Sequence, residues 1–347
     1  MKILLVSDYG NLAGGAELQL EMLRQGLRAR GHDARLFAST ARPDGSASLA
    51  DDECVGTTSR WRTLLQSFNP WAYLALRRVL ADFRPDVVHV FMFLTQLSPA
   101  ILPLLRTVPS VYYVVWYRPI CPLGTKMWPD GSECHVAWGR SCLQKGCLPW
   151  RDWLPLMLQM RLWQRWRNAF DVIGANSAAT KQRLQESCID ATKVLWPGVP
   201  VEPLSRPLSP EPTAVFAGRL VREKGVDVLA RAFSDVARQV PAARLVLAGD
   251  GPERSAIQEQ IRRLGLTEQV TMPGQLAREP LQRAFAGAWV QAVPSRWAEP
   301  FGMVAAEAMM RGTPVVASDA GGLREIVWEG RTGFLVPPGD APGLAEA

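Results

Sequence analysis

Short apolar runs alternate with amphipathic stretches along nearly the whole chain, and that alternation narrows the choice of fold more than any other feature. Lys2–Ser7, Ala34–Ala38, Asp86–Phe91, Ser110–Val115 and Asp171–Ser177 each read as a buried strand. The stretches between them carry helix signals, as in Ala16–Arg30, where Leu20, Leu23 and Leu27 share a face and Gly31 follows as a stop. Residues 43–58 break the pattern with Gly, Ser, Asp and Thr and read as a mobile loop. The segment 200–212 has five prolines in thirteen residues and no apolar period, as expected of an interdomain linker. After it the alternation restarts, with strands at Thr213–Arg219, Arg244–Asp250, Val270–Met272, Trp289–Val293 and Val315–Ala317. Two α/β domains follow from this, a size of 347 residues suits two, and the domains divide as 1–205 and 206–347.

Bulk properties exclude several classes. No apolar run reaches the roughly 18 residues of a membrane-spanning helix. The stretch Met1–Val6 is too short for a signal peptide and runs into Ser7-Asp8-Tyr9-Gly10 as a strand enters a loop. A cytoplasmic protein is expected. The net charge of +6 suits an anionic substrate or an anionic lipid surface, and no nucleic-acid-binding module is recognisable.

The stretch from Val293 to Ser318 reads as strand end, loop, helix, turn and strand. Pro294, Ser295 and Pro300 break the strand, Phe301–Arg311 reads as a helix, and Gly312 caps it. Such a loop aims the backbone N–H groups of Phe301, Gly302 and Met303 outward at a helix N-terminus, where anions bind. Glu299 precedes the helix and Glu307 lies on it. At ~1.5 Å of rise per residue the two carboxylates bracket roughly 10–12 Å, the scale of a sugar diphosphate. Upstream, Gly218-Arg219-Leu-Val-Arg-Glu-Lys224-Gly225 sets two cations five residues apart, suited to a leaving pyrophosphate.

Glu299-x7-Glu307 with Pro-Phe-Gly inside it, followed by Gly-Thr-Pro-Val-Val-Ala and by Gly321-Gly322-Leu-Arg-Glu325, resembles the retaining GT-B glycosyltransferases of family four, the glycosyl transferases group 1. Gly218-Arg219-Leu…Glu-Lys224-Gly225 matches the same family. The resemblance implies two Rossmann-like domains facing across a cleft, with the acceptor side in 1–205 and the nucleotide-sugar donor site in 206–347. It implies that Glu299 contacts the sugar, that Arg219 and Lys224 hold the diphosphate, and that Glu307 binds the ribose. Phe301, Gly302 and Met303 would act through backbone N–H, and Gly218 would shape the loop. Gly14-Gly15-Ala16-Glu17 resembles the N-terminal loop, so Gly15 would face the donor phosphate; a plain tight turn is the alternative. No Asp-x-Asp motif lies nearby, so catalysis is expected to need no metal. The implied reaction moves a sugar from a UDP- or GDP-sugar to a glycan or lipid-linked acceptor, with retention by front-face attack, in cell-surface polysaccharide synthesis. The rival reading is a non-catalytic nucleotide-sugar-binding scaffold of a polysaccharide assembly complex. Two features favour the rival. Aligned on Cys121-Pro122, Val115 stands where the family often carries His, and the chain stops at Ala347, just as a helix begins, which reads as a truncated donor domain.

Two further features stand outside the motifs. Cys121, Cys134, Cys142 and Cys147 form a cysteine-rich insert over 121–147, with twelve, seven and four residues between them. Four thiolates suffice for a tetrahedral structural zinc, but no Cys-x-x-Cys is present, and zinc and plain thiols stand as alternatives. Trp150–Phe170 is dense in Trp153, Trp163 and Trp166 and in Arg151, Arg161, Arg165 and Arg167. It reads either as a helix packed on the sheet with snorkelling arginines or as an interfacial helix, which would put the protein peripherally at the inner face of the cell membrane.

Overall fold

The computed structural model describes residues 1–12, 14–42, 45–201 and 207–347. The chain divides into two compact units, Met1–Pro129 with His135–Pro197, and Asp130–Cys134 with Gly198–Ala347. The boundary expected at 205/206 falls outside the described residues.

The first unit runs β1 (Lys2–Tyr9), α1 (Gly15–Ala29), β2 (Asp33–Ser39), β3 (Asp52–Cys54), α2 (Arg62–Ser67), α3 (Pro70–Phe83), β4 (Val87–Val90) and β5 (Ser110–Val114). It continues through α4 (Arg140–Gln144), α5 (Trp150–Trp166), β6 (Val172–Ala175), α6 (Ala178–Glu186) and β7 (Lys193–Val194). The sheet order is β3-β2-β1-β4-β5-β6-β7 and every pairing is parallel. Parallel strands are covered on both faces, which is why Leu4, Leu5 and Val6 in β1 are all fully buried rather than alternating. The expected loop at 43–58 needs a correction, because Asp52–Cys54 pairs with β2 as a parallel edge strand. Three residues, two of them acidic, leave no period to read.

The second unit runs β8 (Thr213–Ala217), α7 (Val226–Gln239), β9 (Arg244–Ala248), α8 (Arg254–Arg263), β10 (Val270–Gly274), α9 (Arg278–Phe285) and β11 (Val290–Val293). It closes with α10 (Met303–Met310), β12 (Val315–Ser318), α11 (Leu323–Ile326), β13 (Gly333–Val336) and α12 (Ala341–Glu346). The order β10-β9-β8-β11-β12-β13 is again parallel throughout. Helix α7 shows why these elements form: Val226, Leu229, Ala230, Phe233 and Ala237 recur at helical spacing and are buried against Leu245 and Leu247 of β9. Both sheets are Rossmann-like, the strand order reversing between β1 and β4 in one and between β8 and β11 in the other. In such sheets ligands sit beyond the carboxyl ends of the strands at the reversal.

Candidate active site

In the second unit the reversal lies between β8 and β11, and the motif residues follow those two strands. Gly218 and Arg219 leave the end of β8, while Pro294 to Glu299 leave the end of β11. Backbone contacts lock the two loops together. Arg296 N–H donates to the Glu223 carbonyl at 2.8 Å. Gly225 has φ +65°, and a Cβ there would lie 2.0 Å from the Pro294 carbonyl oxygen, so only glycine fits. Gly321 has φ +58°, and its Cβ would lie 2.2 Å from the carbonyl oxygen of Glu299. The next N–H, of Gly322, donates to that same oxygen at 2.7 Å. The Gly-Gly pair therefore fixes the backbone of Glu299 from the other side.

The Glu299 side chain is buried, and its Oε2 is the more heavily engaged oxygen. Lys224 Nζ donates to Oε1 at 2.8 Å and lies 3.0 Å from Oε2; Ser295 Oγ and Trp297 Nε1 each donate to Oε2 at 2.8 Å. Lys224 Nζ also stands 5.4 Å from the Trp297 ring centroid, within cation–π range. Burial pushes the Glu299 carboxyl up, but the Lys224 charge and the hydrogen bonds from Lys224, Ser295 and Trp297 outweigh it and hold the group below its ordinary range. A buried, ionised carboxylate paired to a lysine thus stands beside the β8 and β11 loops.

Helix α10 begins at Met303, two residues later than the sequence suggests, because Gly302 sits at φ +99° and cannot be a helical residue. Phe301 and Gly302 consequently belong to the loop, with Gly302 as N-cap. By helix geometry the N–H groups of Met303 and Val304 have no intrahelical acceptor. Ala305 and Ala308 pack against Val293 and Val315, and their small size lets the helix lie close to the sheet. Glu307 is half-buried on α10. Arg219 is exposed, its guanidinium 3.7 Å from the Glu223 carboxylate. The structure therefore gathers Lys224 and Glu299 in direct contact, while Arg219 faces Glu223 and Glu307 lies farther along α10. Ser295 and Trp297 are the residues the motif reading passed over. A Ser and a Trp within four residues of a motif Glu, both able to donate, were the available signal.

In the first unit, Gly15 opens α1 behind Gly14, and the direction its Cβ would take meets nothing within 4 Å. The loop after β1 is anchored by Asp8, a buried carboxylate that accepts from Thr95 N and Oγ1, Gln96 N and Leu97 N at 2.9, 2.5, 2.7 and 3.0 Å. Burial still pushes its carboxyl up, against the hydrogen bonds from Thr95, Leu97 and Gln96. Val115 follows β5 and packs with Trp116 beside the Phe91 and Tyr113 cluster. His89 lies buried in β4 against Phe91 and Tyr113, where burial lowers its pKa to about 4. None of the six cysteines is joined in a disulfide, and among the described residues no three His, Cys, Asp or Glu side chains converge as a metal set. On α5, Trp163 is fully buried against Phe93, Tyr112 and Phe170, and Trp153 Nε1 donates to the Gly139 carbonyl. Among the described residues no helix is long and apolar enough to cross a membrane.

The fold and motifs now meet independent comparisons. Residues 13–203 match the family model for Glycosyltransferase Family 4, and residues 205–347 match that for Glycosyl transferases group 1. The chain belongs to the family-four glycosyltransferases. Among the relatives of this family member is glycogen synthase of Mycobacterium tuberculosis, 35% identical over 385 aligned positions that cover 100% of this chain and 85% of that one. Several other relatives are matched over only about a third of their own length, 36%, 34% and 32%. Sucrose-phosphate synthase from Thermosynechococcus elongatus shares the fold at a TM-score of 0.75 and 24% identity, over 100% of this chain and 88% of that one. Anabaena HepE, solved in complex with UDP-glucose, does so at 0.69 and 22% identity, over the same shares. The fold they share with this chain, two parallel α/β sheets, is GT-B.

Proposed function

We propose that this glycosyltransferase moves a sugar from a nucleotide-diphosphate donor to a glycan or lipid-linked acceptor with retention and without a metal, in cell-surface polysaccharide synthesis. The observation that carries the reading is the Lys224–Glu299 pair, set at the strand-order reversal and next to the start of α10. Glu299 would bind sugar hydroxyls through Oε1. Lys224, Arg219 and the N–H groups of Phe301, Gly302 and Met303 would meet the diphosphate, whose negative charge grows as the bond from the anomeric carbon to phosphate oxygen breaks. Gly218 would let backbone approach the phosphates, and Glu307 would take the ribose hydroxyls.

The hydrogen bonds to Glu299 bear on the mechanism. A carboxylate offers about four lone-pair sites. Oε2 already accepts from Ser295 and Trp297, and Lys224 contacts both oxygens. A group so engaged is a poor nucleophile, which supports front-face attack. The acceptor oxygen bonds to the anomeric carbon from the leaving-group side, its proton passes to the departing phosphate oxygen, and a nucleoside diphosphate leaves.

The second reading, a nucleotide-sugar-binding scaffold, rests on Val115 where the family often carries His. One experiment separates them. The purified chain is scanned for thermal shift with UDP, GDP, ADP and their sugars, with and without EDTA, and the stabilising sugar is then offered with acceptor. UDP-glucose, the ligand of the HepE structure, is the first donor to try. A shift insensitive to EDTA, followed by release of nucleoside diphosphate, is the expected result. A shift without turnover favours the scaffold, and a shift abolished by EDTA overturns metal independence.

A further inference from the structure

Helix α3 is apolar on two faces. Ala72, Leu76, Val79 and Phe83 recur at helical spacing and are buried, which is all that the core of the first unit asks of it. Trp71 and Leu74 lie on its outer side and are more than half exposed. Ahead of them Trp61, Leu64 and Phe68 follow at helical spacing on and around α2, each also more than half exposed. Trp61, Leu64, Phe68 and Trp71 line one open groove together with Val55. Large apolar residues scattered singly on a surface are ordinary, but a contiguous set of this kind marks a contact site.

Helix α5 packs beside the end of α2. Ser67 Oγ at the end of α2 donates to the Pro155 carbonyl at 2.8 Å, and the α5 residue Gln159 donates back to the Gln66 and Leu94 carbonyls. On the outer face of α5, Trp150, Leu154 and Leu158 are exposed at i, i+4 and i+8. These are not the tryptophans that the sequence picks out as anchors, since Trp163 is in the core.

The charge around this apolar surface is mostly of one sign. Residues 55–84 and 149–168 contain nine arginines against two carboxylates, Asp82 and Asp152, an excess of seven that exceeds the +6 of the entire chain. Among the described residues only Arg151 of the nine has an ion-pair partner, Asp152 at 3.6 Å. On α7, α8 and α9 arginines are neutralised locally, as in Arg238 with Asp235, Arg262 with Glu259 and Arg283 with Glu279. Here Arg60, Arg62, Arg77 and Arg78 border the exposed Trp, Phe and Leu side chains with no such partner.

We infer that this α2–α3 face, with α5 beside it, docks the protein on the surface of an anionic bilayer. Aromatic and leucine side chains enter the headgroup–acyl boundary, and unpaired arginines around them meet lipid phosphates. The inference does not depend on the donor-site reading, because vesicle binding is measured without substrate.

Flotation of the native chain with vesicles of phosphatidylcholine, and of phosphatidylcholine containing phosphatidylglycerol, tests it. The protein is expected to float with the anionic vesicles, far less with the neutral ones, and less as salt rises. Phe68→Ser with Trp71→Ser should lower the bound-to-free ratio at least tenfold while leaving the melting temperature and nucleotide binding unchanged. Both side chains point outward; should the pair misfold all the same, Arg62→Ser with Arg77→Ser and Arg78→Ser interrogates the same surface. Native protein that stays at the bottom with anionic vesicles overturns the inference, as does wild-type flotation of the folded variants. A concentration-dependent dimer in sedimentation velocity, lost in the serine variant and unaccompanied by flotation, would assign the patch to a second copy instead.

Discussion

Replacing Lys224 by methionine separates the ion pair from the rest of the Glu299 environment. The two side chains are 20% and 11% exposed, so the pair is largely withdrawn from solvent. Breaking a buried pair by removing one partner costs about 3–5 kcal/mol. Residual solvent at Lys224 and the retained bonds from Ser295 and Trp297 lower this to about 2–3 kcal/mol near neutral pH. The sign of the pH dependence follows from the direction of the Glu299 shift. In the native chain the carboxyl is held below its ordinary value of 4.5, so its contribution is fully present above that value and is lost as pH falls through the lower, folded one. Without the lysine, burial is the dominant influence and the carboxyl is raised instead. The variant then gains stability on acidification, as Glu299 protonates, while the native chain at about pH 5 is still ionised. The difference between the two proteins should therefore narrow from about 2–3 kcal/mol near neutrality as the pH falls to about 5. For a domain of some 150 residues the neutral-pH difference corresponds to a melting temperature lower by roughly 4–12 °C. Scanning calorimetry of the full chain at both pH values, following the transition that the substitution moves, reads the effect. An equal loss at both pH values would refute the claim that Lys224 keeps Glu299 ionised.

Two other substitutions probe the same carboxylate. Glu299→Gln keeps the shape of the side chain but removes the charge, and transfer should fall by about 10²–10³-fold with the fold intact; near-normal turnover would remove Glu299 from the mechanism. Trp297→Phe deletes one donor to Oε2 at a cost of about 1.5–3 kcal/mol to the ionised form, so the acid limb of the transfer profile should move to higher pH. An acid limb that stays in place would reduce Trp297 to a packing residue.

Sequence alone exposed the alternation and the motif glycines because each has a strong local cause: parallel strands are continuously apolar, and positive φ admits little but glycine. Reasoning from the chain also put Lys224 and Glu299 in one site, although seventy-five residues separate them. It did not foresee that they touch, since that depends on Gly225 approaching Pro294. The start of α10 was misplaced because the run Phe301–Gly302 has helical neighbours and only the φ of Gly302 excludes it. Edge strand β3 escaped because its three residues have no period. On α5 a dense run of Trp and Arg drew attention to Trp163, whose surroundings are contributed by Phe93, Tyr112 and Phe170 from distant positions. The outward apolar side of α2 and α3 went unread for the converse reason, as periodicity identifies an apolar face but not whether anything covers it.

The glycines around Glu299 bear on how substitution surveys of this protein are interpreted. Gly225, Gly321 and Gly322 each leave no room for a Cβ against the Pro294, Glu299 or Pro300 backbone. Alanine at any of them would shift the carboxylate and suppress transfer while removing no group that touches substrate. A screen scored by product alone would rank these positions beside Glu299 itself. Only a paired measurement of folding would show that they are scaffolding, and that the chemistry belongs to fewer residues than the list of inactive variants suggests.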